Sequence, residues 1–226
     1  MSKRRVKKPF RFFTRLNLVE LTGIKARNVE EFLESITRVP GSVIYHHTHH
    51  FLQQHLYLSP EPPNDFAYWL SNVLQDVRLG EQVASIDTCE YSKIRDLRKV
   101  IIEKIKNHMK SGNYTSRNVF PGMEFHFFKS ISFILPTGKE THTLGEFKDV
   151  LKEITIHSIY LHMFESRLRL GRGTNDFSFW IENNLKEKGL AEKISAIDPY
   201  THTLEGLRKK LLAIINGYLR RNRGNG

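Results

Sequence analysis

Hydrophobic and polar positions follow the same order twice along the chain, first over 10–110 and again over 125–219. Each copy opens with a partly alternating apolar segment that ends at Thr-Gly, which predicts a strand followed by a turn. Apolar residues at helical spacing then predict four helices, because positions three and four apart share one helix face. The second helix carries a histidine motif, the third begins at Asn-Asp-Phe, and a short turn at Leu-x-Glu precedes the fourth.

The two copies match in detail when the chain is compared with itself. A shift of 115 residues aligns their opening parts, and a shift of 111 aligns their later parts. The matched motifs are Ile44-Tyr45-x-His47 with Ile159-Tyr160-x-His162, and Asn64-Asp65-Phe66-x-x-Trp69 with Asn175-Asp176-Phe177-x-x-Trp180. Self-similarity of this kind indicates a repeat architecture. We therefore expect an α+β, mainly helical fold, built as a tandem duplication of a strand-plus-four-helix unit and packed with pseudo-twofold symmetry.

Charge distinguishes the ends of the chain from its body. The net charge is +11, and eight of these charges lie in 1–10 and 220–226, which contain no acidic residue. A basic body would indicate a nucleic-acid surface, whereas basic ends are typical of disordered, solubilising or weakly polyanion-binding tails. The sequence therefore predicts a basic tail over 1–9, repeats over 10–110 and 125–219, a linker over 111–124, and a second basic tail over 220–226.

Cysteine content and hydropathy limit the compartment. Cys89 is the only cysteine, which excludes an intrachain disulfide and a thiolate metal cluster and fits a reducing environment. No segment approaches the ~18 consecutive apolar residues that a membrane helix needs. The basic N-terminus is not followed by the apolar segment of a secretory signal. We expect a cytoplasmic protein with no membrane-spanning segment.

A histidine cluster in the first copy is the candidate metal site. On a helix, His46 and His50 share one face at the spacing that two imidazoles need to bind one metal ion. Glu165 occupies the position of His50 in the second copy and would add a carboxylate across a pseudo-twofold interface. Such donors would suit Zn, Fe or Mn. The alternative is a group of histidines with no ligand.

The repeat identifies a second polar pair that both copies share. His47 is the one member of the cluster with a counterpart, His162, so we interpret this position as a core histidine bonded to a neighbouring helix. Asp65 and Asp176 also recur, each directly after an asparagine. An Asn or Asp before a helix acts as an N-cap, whereas a carboxylate beside a histidine fixes its tautomer. Both roles are filled if Asn caps the helix while Asp accepts a hydrogen bond from the histidine.

The second copy has an arginine-rich loop of its own. Arg167, Arg169 and Arg172 lie among glycines directly before the helix that starts at Asn175. Free amides and the helix dipole attract anions at such a position, which predicts a site for a phosphate or sulfated ligand. The alternative is a solvated loop with ordinary glycine turns.

The motifs Ser42-Val43-Ile44-Tyr45-His46-His47 and Asn175-Asp176-Phe177-Ser178-x-Trp180 resemble those of a family of bacterial and archaeal proteins known as a domain of unknown function. The resemblance covers nearly the whole chain. It implies a cytoplasmic prokaryotic protein, and it implies no particular activity.

We interpret the chain as a non-enzymatic binding or regulatory protein with its site near the junction of the two repeats. The partner would be an unidentified protein or a small anionic ligand. The expected binding residues are His47, Asp65, His162, Asp176, Arg167, Arg169 and Arg172. Two alternatives stay open: a metal-dependent enzyme that uses the histidine cluster, and a binder of polyanions, sugar phosphates or nucleic acid that uses the tails and the arginine loop.

Overall fold

The computed structural model describes residues 5–50, 64–112, 114–166, 168, 174–198 and 202–224, with the backbone alone for His50, Cys89 and 222–224. The chain forms two compact units. Among the described residues, the first unit contains 5–16 and 133–224, and the second contains 17–50 and 64–132. Helices dominate, and two strands form one sheet, so the predicted mainly helical α+β class is confirmed.

The two strands are β1, Phe10–Ala26, and β2, Phe125–Thr141. Each strand contributes one half to each unit: β1 gives 10–16 to the first unit and 17–26 to the second. In the second unit Asn17 contacts Ser132, and Glu20 contacts Lys129, so residue numbers rise along one strand as they fall along the other. The pairing is therefore antiparallel.

Helices of the second unit pack on β2. Five α-helices and the 3₁₀-helix Thr88–Glu90 are described there, and two of the α-helices continue as a π-helical turn. They are α1 Val29–Arg38, α2 Gly41–Tyr45 with the π-turn His46–His50, α3 Asp65–Tyr68 with the π-turn Trp69–Val73, α4 Val77–Ala84 and α5 Ile94–Lys110. Phe125 and Phe127 of β2 lie against Phe32 of α1, with ring centroids 5.3 and 5.7 Å apart. Burying each such ring stabilises the unit by about 2 kcal/mol.

Helices of the first unit pack on β1 in the same way. The described helices are α6 Leu144–Glu153, α7 Ile156–Tyr160 with the π-turn Leu161–Glu165, α8 Asp176–Trp180 with the π-turn Ile181–Leu185, α9 Lys188–Ser195 and α10 Leu204–Gly224. Phe10 and Phe12 of β1 lie against Phe147 of α6, at 5.5 and 5.4 Å. Each unit therefore combines the helices of one sequence repeat with the opening half-strand of the other.

The predicted turn at Leu79-x-Glu81 is wrong, because these residues belong to the helix α4. Gln75 adopts a left-handed backbone with a φ of 60°, which ends the preceding π-turn. The Asp76 carboxylate then caps α4 by accepting a hydrogen bond from the Leu79 amide at 3.0 Å. The second unit thus has five described α-helices instead of the expected four helices, and α9 adds the corresponding helix to the first unit.

The N-terminal segment 5–9 is packed against the first unit, although it was expected to be part of a disordered tail. Val6 is buried, and its amide donates to the carbonyl of His142 at 2.9 Å. The His142 ring in turn forms a hydrogen bond to the Val6 carbonyl. These contacts fix the backbone of the residues that follow Val6. No helix within the described ranges is both long and apolar enough to cross a membrane.

Candidate functional site

The shared histidine of the second unit is held by two hydrogen bonds. The Phe128 amide donates to Nε2 of His47 at 2.9 Å, so Nε2 carries no proton and Nδ1 does. Nδ1 then donates to the Asp65 carboxylate at 2.8 Å. Burial lowers the pKa of His47, although Asp65 acts in the opposite direction, and the ring is therefore neutral. His47 links the N-terminus of α3 to the backbone of β2.

The first unit contains the same arrangement at His162. Its Nε2 accepts from the Phe13 amide at 3.0 Å, and its Nδ1 is 2.8 Å from the Asp176 carboxylate. The side chain preceding each aspartate caps the helix: Asn64 accepts from the Ala67 amide at 2.9 Å, and Asn175 accepts from the Ser178 amide at 2.8 Å. The expectation that Asn caps while Asp pairs with the histidine is confirmed in both units.

The expected metal ligands have other contacts where the structure describes them. His46 is hydrogen-bonded through Nδ1 to the Ser130 hydroxyl at 2.9 Å in the second unit. Glu165 accepts from the buried Arg15 guanidinium at 2.8 Å in the first unit. The side chain of His50 lies outside the described residues. The set of His46, His50 and Glu165 therefore stays a prediction.

A different group of three possible metal donors, His46, His47 and Asp65, lies in the described part of the second unit, with donor atoms within 4.8 Å of one another. The hydrogen bonds of His47 fit a metal poorly. A metal ion bound to Nδ1 would displace the proton of that nitrogen. The proton could not move to Nε2, because Nε2 accepts the hydrogen bond from the Phe128 amide. The pair His47–Asp65 is better explained as a structural hydrogen bond.

His49 is buried in the second unit, where its ring forms a stacking contact and a hydrogen bond. Its ring stacks on Tyr45 with centroids 5.4 Å apart, and its Nδ1 is 2.7 Å from the Thr48 hydroxyl. Burial lowers the pKa of His49 to about 4, so the ring is neutral at neutral pH. His49 contributes packing in the neutral form and would be costly to protonate.

A groove of about 750 Å³ opens beside the His162–Asp176 pair in the first unit. Its cationic side chains are Lys7, Lys8 and Arg11, and its aromatic side chains include Phe13, Phe179 and Trp180. Asp176 is the acidic lining residue. Arg11 also donates to the Glu140 carboxylate at 3.4 Å, so the net positive charge of the groove comes mainly from Lys7 and Lys8. Lys7 and Lys8 are exposed, and Phe179 is 37% exposed, which leaves both kinds of group accessible.

The backbone beneath the lysines is fixed by side chains from the distant π-turn and α8. Trp180 donates through Nε1 to the Lys8 carbonyl at 3.1 Å, and Asn184 donates to the same oxygen at 3.2 Å. These bonds position the two lysine side chains at the groove. We refer to Lys7, Lys8, Arg11, Phe13 and Phe179 as the cationic groove.

The second unit has the same backbone anchor without the cations. Trp69 donates through Nε1 to the Met123 carbonyl at 3.0 Å, as Trp180 does to Lys8. The shift of 115 residues places Gly122, Met123 and His126 at the positions of Lys7, Lys8 and Arg11. The cationic character is therefore a feature of the first unit.

Sequence reasoning missed the cationic groove because it treated residues 1–9 as a tail. The repeat could have indicated that this segment is structured, because Lys8 aligns with Met123, which precedes the Phe-x-Phe-Phe segment of β2. The predicted arginine site cannot be placed, because Arg167, Arg169 and Arg172 lie outside the described residues.

Comparisons with known proteins identify a family. The solved structure of OrfY from Thermoproteus tenax is similar to this chain with a TM-score of 0.79 and 27% sequence identity, over 93% of this chain and 95% of OrfY. No curated protein matches the chain. The model of a family of unknown function, DUF5752, matches residues 7–216, and the chain belongs to this family.

Proposed function

We propose that this DUF5752 protein is a non-enzymatic binding protein that holds a small anionic ligand in the cationic groove. The observation that carries the proposal is the concentration of Lys7, Lys8 and Arg11 beside accessible aromatic rings in one groove. Ammonium and guanidinium groups form charge-assisted hydrogen bonds with phosphate or carboxylate oxygens. Aromatic side chains add apolar contact for the remainder of the ligand.

The polar residues of the groove favour binding over catalysis. A general base needs a nitrogen lone pair that can reach the substrate. Nε2 of His162 already accepts the Phe13 amide, Nδ1 bonds to Asp176, and the residue is 2% exposed. His162 therefore serves to position the strand and the carboxylate, and the ligand leaves unchanged.

The size and chemistry of the groove suit an organic phosphate with a ring, such as a sugar phosphate or a nucleoside monophosphate. Two lysines and one arginine give several donors for the phosphate oxygens, and the exposed face of Phe179 gives the ring a surface. Inorganic phosphate has the charge without the ring. It should bind more weakly than an organic phosphate of the same charge.

Intrinsic fluorescence tests this proposal on the full-length chain. The variant Trp69→Phe leaves Trp180, which lines the groove, as the single tryptophan. We expect organic phosphates to change its emission with saturation, and added salt to weaken binding by screening exposed charges. Calorimetry on the unmodified chain should return the same Kd. If no organic phosphate changes the signal or releases heat, the proposal fails.

A metal-dependent enzyme is the second candidate, and the closeness of His46, His47 and Asp65 is the observation that favours it. The occupied nitrogens of His47 count against it. Elemental analysis of the purified protein, followed by titration with zinc, iron and manganese, separates the two functions. One equivalent of tightly bound metal, lost in His46→Ala, would favour the enzyme.

We also propose that the chain is a tandem duplication, with shared residues acting as scaffold. The supporting contacts recur in each unit. The Thr22 hydroxyl donates to the Phe127 carbonyl at 2.7 Å, and Thr137 donates to Phe12 at 2.7 Å. An experimental structure whose two units fail to superpose on these contacts would contradict the duplication.

A further inference from the structure

The cationic groove has two walls, and hydrogen bonds hold these walls together at both ends. One wall is the segment 6–13, and the other is α8 with its π-turn, over 176–184. At the first end, Trp180 and Asn184 donate to the carbonyl of Lys8. The two lysines of the groove therefore lie at this end, where their exposed ammonium groups can bind a phosphate.

The other end of the groove carries a carboxylate. There the Phe13 amide donates to Nε2 of His162, and Nδ1 of the same ring donates to Asp176. Asp176 lines the groove, and its side chain is 15% exposed. A helix rises about 1.5 Å per residue, so the stretch from Asp176 to Asn184 separates the two ends by roughly 12 Å. A ligand that contacts both ends needs an anionic group at one end and hydrogen-bond donors at the other.

The Asp176 carboxylate determines which donors fit. A carboxylate accepts hydrogen bonds and donates none, and it has about four acceptor positions, of which the bond from His162 takes one. Two adjacent N–H groups on a flat ring would match its two oxygens at once, in the way that an arginine fork does.

Aromatic rings along the groove favour a flat base next to this carboxylate. Phe13 and Phe179 line the groove, and Phe179 is 37% exposed and one helical turn from Asp176. Every nucleobase can stack on such a ring, because every base has a π-face. Stacking therefore holds a base without choosing among bases, and the choice falls to Asp176. A nucleoside monophosphate also carries its phosphate and the outer edge of its base at opposite ends, as the groove requires.

We propose that the ligand of the groove is a guanine nucleotide, and that Asp176 is the residue that selects the base. The lysines hold the phosphate, the base stacks on Phe179, and the adjacent N1–H and N2–H groups of guanine donate to the Asp176 carboxylate. Adenine has a lone pair at N1 in place of the N–H, so it turns an acceptor toward the same carboxylate. This inference rests on the proposed function and narrows its organic phosphate to one class.

Calorimetry on the full-length chain with a series of phosphates tests the inference. Guanosine monophosphate should bind about tenfold or more tightly than adenosine monophosphate, which is the discrimination that a bidentate contact to a base provides. Inosine monophosphate keeps N1–H and lacks the 2-amino group, so its Kd should fall between the two. Glucose 6-phosphate has the phosphate and hydroxyl groups without a base, and it should bind more weakly than guanosine monophosphate.

The second unit provides a matched control for the role of Asp176. Asp65 accepts from His47 at 2.8 Å, as Asp176 accepts from His162, but the second unit lacks the two lysines. Asp65→Asn and Asp176→Asn should therefore lower stability equally in urea denaturation. In Asp176→Asn the amide oxygen can keep the bond to the histidine, which turns the amide N–H groups toward the base.

The two variants should differ in ligand selectivity. Asp176→Asn should weaken binding of guanosine monophosphate about tenfold or more and should not weaken binding of adenosine monophosphate. Asp65→Asn should change neither Kd. Equal loss of both nucleotides in Asp176→Asn would overturn the inference by reducing Asp176 to a structural role.

The ligand series on the unmodified chain decides the inference even if Asp176→Asn does not fold. Equal binding of the guanine and adenine nucleotides, or tighter binding of glucose 6-phosphate, overturns the choice of guanine and leaves the proposed function standing. If none of these phosphates binds, the proposed function fails as well.

Discussion

The two units share a set of anchoring bonds and differ in the side chains around them. His47 and His162 make equivalent bonds to an aspartate and to a strand amide. Trp69 and Trp180 each donate to a carbonyl, but that carbonyl belongs to Met123 in one unit and to Lys8 in the other. The recurring polar residues therefore hold the fold, whereas the residues that vary around the same anchor give the two units different charges.

The largest expected effect concerns the shared histidines. His47→Ala and His162→Ala should each lower the free energy of unfolding by about 3 kcal/mol, because each leaves a buried amide without its acceptor and creates a cavity. Urea denaturation followed by circular dichroism measures the loss. His126→Ala, at an exposed position, is the control. A loss below about 1 kcal/mol at either histidine would contradict the scaffold role.

The stability of the chain should depend on pH because of His49, which is buried in the second unit. The pKa of His49 is about 4 in the folded chain against about 6.5 when unfolded, so the unfolded state binds more protons between these values. Stability is then full above about pH 6.5 and falls by roughly 3 kcal/mol as the pH drops toward 4.

His49→Phe places the matching residue, Phe164, into the second unit and should flatten this pH dependence. Denaturant melts of the variant and the unmodified chain at pH 7, 5.5 and 4.5 provide the comparison. An equally steep decline in the variant would show that His49 is not the group responsible.

Exchange of groove residues tests the difference between the units directly. Lys8→Met with Arg11→His gives the first unit the side chains found at Met123 and His126, and we expect at least tenfold weaker binding of an organic phosphate. Loss of one charge-assisted hydrogen bond costs about 1.5 kcal/mol or more. Lys188→Met removes a charge from an exposed helix position outside the groove and should leave Kd unchanged. If both variants weakened phosphate binding equally, the loss would come from the net charge of the chain and not from the groove residues.

The smallest expected effect concerns two glycines inside the strands, because β1 and β2 continue past the Thr-Gly pairs that were expected to end them. Gly23 and Gly138 have φ values of 77° and 73°, in the left-handed region that disfavours a side chain. Gly23→Ala and Gly138→Ala should each cost about 1 kcal/mol, measured by urea denaturation. Gly189→Ala, within α9, should instead stabilise by a few tenths of a kcal/mol or more. Markedly unequal losses of stability at the two glycines would contradict the equivalence of the units.

Local features were predictable because they depend on neighbouring residues. The asparagines before Asp65 and Asp176 were expected to cap helices, and each accepts a hydrogen bond from the amide three residues later. The helix α4 was missed because it depends on the left-handed Gln75, which helix periodicity does not encode. The π-helical turns were missed for a related reason, since an extra residue per turn is selected by tertiary packing.

Residue types at short spacings were enough to predict the repeated order of elements and the capping asparagines. The pairing of each histidine with its aspartate stayed one of two alternatives, because 18 residues separate the pair in the second unit and 14 in the first. Only the tertiary structure shows which half-strand packs on which helices, because Phe10-x-Phe12-Phe13 and Phe125-x-Phe127-Phe128 share one pattern. The cationic groove also depends on the tertiary structure, because Lys8 and Trp180 are 172 residues apart in the sequence and form a hydrogen bond there. Contacts at such separation depend on how the chain folds back on itself, and no local pattern records them.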